Sequence, residues 1–166
     1  MGADEFTADC ANCAALCCMA LAFDQGDQFA HSKDAGTACH HLSGFSCSIH
    51  DDLARRGYSG CAAFDCQGAG QRVTALFRDT GRQDWRSAPP RRAAMMHAFR
   101  RMRDVQELRQ MLHAAAGLKL SEDKNTERHA WIERLVAATL DLNALDSIDI
   151  SAARLWLRGL ARFVSR

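Results

Sequence analysis

The last hundred residues of this chain contain no cysteine, although the 166 residues include eight. All eight lie between residues 10 and 66 (the cysteine cassette), a distribution that core packing alone does not explain. Long apolar runs are absent too, because the longest, residues 10–23, is short of the roughly 20 residues that span a bilayer. The acidic N-terminus has no signal-peptide pattern. These absences favour a cytoplasmic protein without a membrane partner, in which clustered thiols serve metal ligation or redox work rather than disulfides.

Proline and strand signals are scarce. The two prolines are adjacent at positions 89 and 90 and mark a boundary before the second half. Residues 73–77 are the one segment that we interpret as a short strand. The fold class that follows is mainly α, with two domains. Residues 1–77 are expected to form an irregular, metal-stapled cysteine-cluster module with short helices, and residues 78–166 a bundle of about three helices.

In the first half, the composition of residues 10–23, rich in Ala, Leu and Met, predicts a short helix with Asp9 as its N-cap. Gly36 lies in a plausible tight turn, as the residue with a positive φ. Residues 48–56 indicate one or two helical turns, which Gly57 is expected to end.

In the second half, apolar residues recur at helical spacing from 91 to 116, and Gly117 is expected to end that helix. Ser121 is expected to open a second helix. Asp149 or Ser151 is expected to cap a third, whose apolar side chains would face a core.

Charge divides the chain unevenly. Residues 1–70 carry nine acids and three bases, whereas residues 71–166 carry eleven acids and eighteen bases. Eight arginines follow residue 81 in close succession: Arg82, Arg86, Arg91, Arg92, Arg100, Arg101, Arg103 and Arg109. They fit a nucleic-acid surface, but they fit equally well a solvated helix face or one that docks on the acidic cassette. Nucleic acid is therefore a partner that we do not favour.

The cysteines are the candidate metal ligands: Cys10, Cys13, Cys17, Cys18, Cys39, Cys47, Cys61 and Cys66. Ligand sulfurs of one zinc ion lie ~3.8 Å apart. On a continuous helix Cys10 and Cys17 would be ~10 Å apart, and Cys18 would point ~100° away from Cys17. Either the helix starts after Cys13, or the ligands divide between sites. We therefore expect thiols from the first helix, the Cys39–Cys47 loop and the Cys61–Cys66 turn to share sites.

Eight thiolates suit two zinc ions, which we favour, or iron, including an iron–sulfur cluster. A dithiol redox centre and inert packing thiols are the weaker alternatives. His50, three residues after Cys47, is an additional candidate ligand, whereas His40 and His41 are interpreted as exposed loop residues. Lys33 is either a counter-charge for thiolates or a solvated loop residue.

The cassette resembles the YkgJ family, described as zinc- or iron-chelating cysteine-cluster proteins. The shared features are Cys10-x2-Cys13-x3-Cys17-Cys18, Phe23, Cys39 with Leu42, Cys47-Ser48-Ile49-His50 and Gly60-Cys61. Residues 33–39 and 64–71 are similar to the cassette at the head of some actinobacterial pentapeptide-repeat proteins, but no five-residue periodicity follows here. The resemblance covers about residues 9–77 and implies metal chelation by the eight cysteines.

Three functions remain open at this point. The first is a zinc- or iron-binding protein with a structural or metal-handling role, whose partners are the metal and another protein. The second is an iron–sulfur or non-haem-iron enzyme in a modification pathway. The third is a nucleic-acid-associated regulator with a structural metal. We favour the first, and a chain that is not an enzyme by itself, because the sequence shows no nucleophile–base pair or catalytic carboxylate pair.

Overall fold

A computed structural model describes residues 3–78, 85, 86 and 88–163. This part of the chain is mainly helical, which confirms the predicted α class. Its α-helices are α1 (Leu16–Ala20), α2 (Ser59–Ala63), α3 (Ala69–Arg78), α4 (Pro89–Ala114), α5 (Glu122–Ala138), α6 (Leu142–Ser147) and α7 (Ile150–Arg158). Two short strands, β1 (Leu42–Ser43) and β2 (Ser46–Cys47), pair as an antiparallel hairpin.

The chain forms two compact units, Met1–Arg100 and Arg101–Arg166. The boundary falls inside α4 rather than before it. The physical reason is that the first turns of α4 supply Met95 and Phe99, both without exposed surface, to the core of the first unit. The independence of residues 1–77 as a domain stays a prediction.

The short helix expected over residues 10–23 is present only in part, because a 3₁₀ turn and an α-helix that starts after Cys13 take its place. Asp9 does cap a helical turn, since its carboxylate accepts from the backbone N–H of Asn12 at 3.2 Å. That turn is a 3₁₀ helix over Cys10–Asn12, and the next residue, Cys13, is extended. Ala15 then adopts a left-handed conformation, with φ at 52°, before α1 begins.

The break in this helix has a tertiary cause at Ala14. Its N–H donates to Thr74 Oγ1 at 2.9 Å, and its carbonyl accepts from Trp85 Nε1 at 2.8 Å. Both backbone groups are therefore satisfied outside a helix, which removes the usual reason for local helical pairing.

The expected strand at residues 73–77 was also wrong, because these residues belong to α3. The buried positions of α3 recur at helical spacing: Ala69, Gly70, Val73, Thr74 and Phe77. Gly36 and Gly57, by contrast, have φ of 81° and 85°, as the turn predictions require.

Among the described residues after 100, the structure has a helix that the sequence did not indicate, α6. Ser121 and Asp149 cap α5 and α7 as predicted, through bonds to the backbone of Lys124 and Ala152. The chain leaves helical geometry after α5, and Asp141 caps the additional helix α6 by accepting from Ala144 N at 2.8 Å.

The described core of the second unit comprises Met102, Val105, Leu108, Leu112, Ala115, Ile132, Leu135, Ala138, Leu145, Ile150, Ala153 and Leu160. Arg82, one of the eight clustered arginines, lies outside the described residues.

Among the described residues, no helix has the length and apolar character needed to cross a membrane.

Candidate metal centre

One cavity of the first unit, with a volume of about 450 Å³, brings the cysteines of the cassette together. All eight contribute to its wall: Cys10, Cys13, Cys17, Cys18, Cys39, Cys47, Cys61 and Cys66. Each is a free thiol, and only Cys10 is classed as exposed. The fold thus joins residues that are up to 56 positions apart in sequence, from Cys10 to Cys66.

The N-terminal end of α3 forms one side of this cavity. Gly70 lies so close to two thiols that a Cβ atom there would be 2.6 Å from Cys13 Sγ and 3.8 Å from Cys66 Sγ. A separation of 2.6 Å is well inside van der Waals contact, so a side chain at residue 70 would force the Cys13 thiol to shift. The missing side chain is what leaves room for the Cys13 thiol.

The same helix holds the segment that carries Cys10. Gln71 accepts from the N–H of Asp9 at 3.2 Å and donates to the carbonyl of Thr7 at 2.8 Å. Arg72 donates to the carbonyl of Glu5 at 3.1 Å. These bonds fix the chain just before Cys10 against α3.

The β-hairpin and the loop before it provide two further thiols. The N–H of Cys39 donates to the carbonyl of Cys18 at 3.0 Å, which joins the loop before β1 to α1. Cys47 pairs with Leu42 across the two strands. Cys39 and Cys47 therefore reach the cavity from adjacent chain segments.

Gly60 positions the neighbouring Cys61. The Phe29 ring, stacked on Phe23 with 4.4 Å between centroids, occupies the place of a side chain at residue 60. The N–H of Gly60 also donates to the carbonyl of Gln28 at 3.1 Å. A larger residue at position 60 would displace this ring.

Burial raises the pKa of four of the eight thiols. It raises the pKa of Cys13 and of Cys61 to about 11 and is the largest cause of the raised pKa of Cys10 and Cys47. Cys17 is the exception. A hydrogen bond with Cys18 lowers the pKa of Cys17 to about 7 and raises that of Cys18. The Cys17 thiol is therefore the one poised to be a thiolate near neutral pH.

The charges of neighbouring thiols also raise these pKa values, and the neighbours responsible differ between two sets of cysteines. Cys17 and Cys66 raise the pKa of the thiols in one set, Cys10 and Cys13. Cys39 and Cys47 raise the pKa in the other set, Cys18 and Cys61. The charge of Cys17, whose own pKa is lowered, raises the pKa of thiols in both sets.

Lys33 is the buried cation of this region, with 6% of its surface exposed. Its Nζ donates to the carbonyls of Asp34 and Thr37 at 3.1 and 2.9 Å. Burial lowers the pKa of Lys33, and the charges of Cys39, Cys18 and Cys17 act in the opposite direction. Of the two sequence interpretations, the structure excludes the solvated loop lysine and agrees with a counter-charge near the thiols.

We expect Lys33→Met to lower the free energy of unfolding by about 1–3 kcal/mol, because two carbonyls would lose their charged donor. The control is Lys124→Met, which removes an exposed pair with Glu127 and should cost under about 1 kcal/mol. Urea unfolding of the two variants measures the difference. Equal stability of the two variants would contradict a structural role for the buried ammonium.

Of the three histidines interpreted from the sequence, His41 lies in a different environment from the one expected. His50 lines the cavity, as expected of a candidate ligand, and its charge contributes to the lowered pKa of Cys17. His41 lines the cavity too and is only partly exposed, so its interpretation as an exposed loop residue was wrong. His40 is exposed, but its Nε2 lies 2.9 Å from that of His41.

His31 and Tyr58 lie beside His40 and His41, which no sequence pattern indicated. The His31 ring and the buried Tyr58 phenol meet at 2.9 Å, although 27 residues separate them. Burial is the largest cause of the lowered pKa of His31 and His41, which favours neutral imidazole. No local pattern in the sequence signals this contact, because it depends on the turn that ends at Gly57.

The cysteines do not themselves form a finished coordination sphere. Within residues 3–78, 85, 86 and 88–163, no three Cys, His, Asp or Glu side chains are arranged to hold a metal ion. The cavity nevertheless fits a thiolate-bound group, because its donor set is sulfur-rich and Gly70 leaves space for one of the sulfurs.

Several arginines of the second unit are engaged internally. Arg101 donates to the carbonyls of Leu145 and Ile148, each at 2.7 Å. Arg109 is fully buried and donates to Gln106 at 2.6 Å. These two side chains are occupied in holding the helices, and nucleic acid stays a partner that we do not favour.

The fold and the cavity define a mainly helical protein with a clustered-cysteine site. The chain is similar to the uncharacterized protein YybG of Bacillus subtilis (strain 168), with 35% identity over 136 residues. The match covers 81% of this chain and 48% of the relative, so the chain spans about half the length of that protein. No protein-family profile matches the chain. No solved structure matches it either.

Proposed function

We propose that the first unit binds a metal centre through the eight cysteines of the cassette and has a structural or metal-handling role. The observation that carries the proposal is the convergence of all eight thiols on one cavity. Thiolates are the preferred protein ligands of zinc and of iron–sulfur clusters. Thiols kept only for packing have no reason to gather around a common space.

The burial of the thiols supports a bound cation. Several of them resist ionisation because of burial and of their neighbours' negative charge. A bound metal ion would instead favour the ionised thiolates, because coordination deprotonates a thiol outright. Lys33 would offset part of the remaining negative charge, because Cys39, Cys18 and Cys17 all act on its pKa.

Eight thiolates suit two zinc ions better than one, because each zinc ion in a structural site binds four ligands. Cys10, Cys13 and Cys66 would serve one ion, whereas Cys18, Cys39, Cys47 and Cys61 would serve the other. Cys17, which acts on thiols of both sets, would complete the first group or link the two. His50, on the same cavity wall, is a further candidate ligand.

Alkylation of the eight thiols tests this proposal. Anaerobically purified protein should react slowly with iodoacetamide, and a strong chelator should expose the cysteines of the cassette together. Mass spectrometry of the labelled peptides gives the count. Equal labelling rates with and without the chelator would contradict metal ligation by these residues.

A second candidate is an iron–sulfur or non-haem-iron enzyme, for which the size of the cavity is the supporting observation. A volume of about 450 Å³ falls within the range of small-molecule sites, roughly 300–1,000 Å³. Apolar side chains complete its wall, among them Leu21, Phe23, Phe29, Leu53 and Phe64. A brown protein with broad visible absorption would favour this candidate, whereas a colourless protein with two zinc ions per chain would exclude it.

A further inference from the structure

His31, His40, His41 and Tyr58 form a histidine–tyrosine cluster. Within it, one side-chain atom each of His40, His41 and Tyr58 lie within a few ångströms of one another. His40 Nε2 and His41 Nε2 are 2.9 Å apart. Tyr58 Oη lies 3.1 Å from His41 Nε2 and 3.5 Å from His40 Nε2. The three atoms thus form a small triangle, although Tyr58 is 17 residues beyond His41.

The size of that triangle matches a coordination sphere. Zinc binds nitrogen and oxygen ligands at ~2.0–2.2 Å in a tetrahedral arrangement, which places neighbouring ligand atoms roughly 3.3–3.5 Å apart. The observed separations bracket this value. We propose that His40, His41 and Tyr58 bind a first-row divalent metal ion such as zinc or cobalt, at a site separate from the eight thiols.

The surroundings hold these side chains in place. His31 Nδ1 lies 2.9 Å from Tyr58 Oη, and its ring packs 4.0 Å from that of His40, centroid to centroid. Phe23 meets the other side of His31 edge-on, at 5.0 Å. The Tyr58 side chain is 5% exposed. Such packing restricts the rotamers of the cluster before any metal binds.

The phenol oxygen is what completes this set. In the described part of the chain, no group of three is drawn from Cys, His, Asp and Glu alone. Here two imidazoles are joined by a tyrosine, a ligand of another type. Three protein ligands also leave a position of a tetrahedral ion for water or another ligand.

The position of the cluster gives the site a functional setting. His41 and Tyr58 both line the cavity that the thiols share. A ligand bound in that cavity would therefore meet the thiol-bound group and the proposed ion together.

Cobalt binding by the full chain tests the proposal. The variant His40→Gln/His41→Gln should bind one cobalt ion fewer per chain than the wild type, as counted by elemental analysis. The thiolate-to-cobalt absorption should keep its intensity, because the thiols are untouched. His129→Gln, which changes an exposed histidine of α5, is the matched control and should bind as the wild type does.

Tyr58→Phe provides a second variant that keeps the buried ring. It should weaken binding of that same ion at least about tenfold, and it decides the matter if the double variant fails to fold. Unchanged cobalt stoichiometry in the double variant, or unchanged affinity in Tyr58→Phe, would overturn the site. Loss of the thiolate absorption in cysteine variants tests the thiol centre separately, so either site can fail alone.

Discussion

Gly70→Ala is expected to remove one metal ion per chain and to destabilise the first unit. The added methyl group would stand 2.6 Å from Cys13 Sγ and 3.5 Å from Cys13 Cβ, so the thiol would have to leave its place. Overpacking of this kind costs about 1–3 kcal/mol. Because the residue lies within α3, helix propensity alone would predict a gain of up to about 1 kcal/mol, which is the opposite sign.

The matched control for this variant is Gly26→Ala. A Cβ at Gly26 would meet nothing within 4 Å, so its metal content and stability should change little. Elemental analysis and urea unfolding of both variants give the comparison. A Gly70→Ala protein that is more stable than the wild type and keeps its full metal content would contradict the role of Gly70 as the space for the Cys13 thiol.

Cys17→Ser is expected to lower the metal-to-protein ratio more than any other single cysteine variant. Its thiol acts on Cys10 and Cys13 in one set and on Cys18 and Cys61 in the other. Serine has almost the same shape but is a poor ligand for a soft metal site. Loss of this sulfur should therefore release both ions or lower the affinity of both at least about tenfold.

Cys10→Ser serves as the comparison, because its thiol is the exposed one and belongs to one set only. This variant should lose one ion and keep the other. Metal-to-protein ratios of anaerobically purified protein measure both variants. Equal losses in Cys17→Ser and Cys10→Ser would contradict the shared position of Cys17.

The helical class and several local features were predicted correctly from the sequence. The helix caps at Ser121 and Asp149 and the turns at Gly36 and Gly57 depend on local chemistry, and all four appear in the structure. All eight cysteines line one cavity, whereas the expectation that they share metal sites stays a prediction.

The errors occurred where distant residues determine the backbone. Ala14 leaves helical geometry because Thr74 and Trp85 bind its two backbone groups. The distance argument against one site with both Cys10 and Cys17 assumed a continuous helix. Because the chain is not helical between Asn12 and Leu16, that argument no longer applies. Sequence patterns report periodicity within a segment, whereas these bonds join segments about 60 residues or more apart.

Lys33 and Tyr58 illustrate the same difficulty for the site. A lysine in a polar, turn-rich loop reads as solvated, but the carbonyls of Asp34 and Thr37 enclose its ammonium group. A single tyrosine carries no pattern at all, and only the fold brings it to the three histidines.

X-ray absorption at the metal edge, on anaerobically purified full-length protein with its metal content determined, tests the central claim most directly. The proposal predicts stoichiometric zinc or iron with a first shell dominated by sulfur, at ~2.3 Å for zinc. A protein without stoichiometric metal, whose eight thiols all react freely with a thiol reagent, would contradict it.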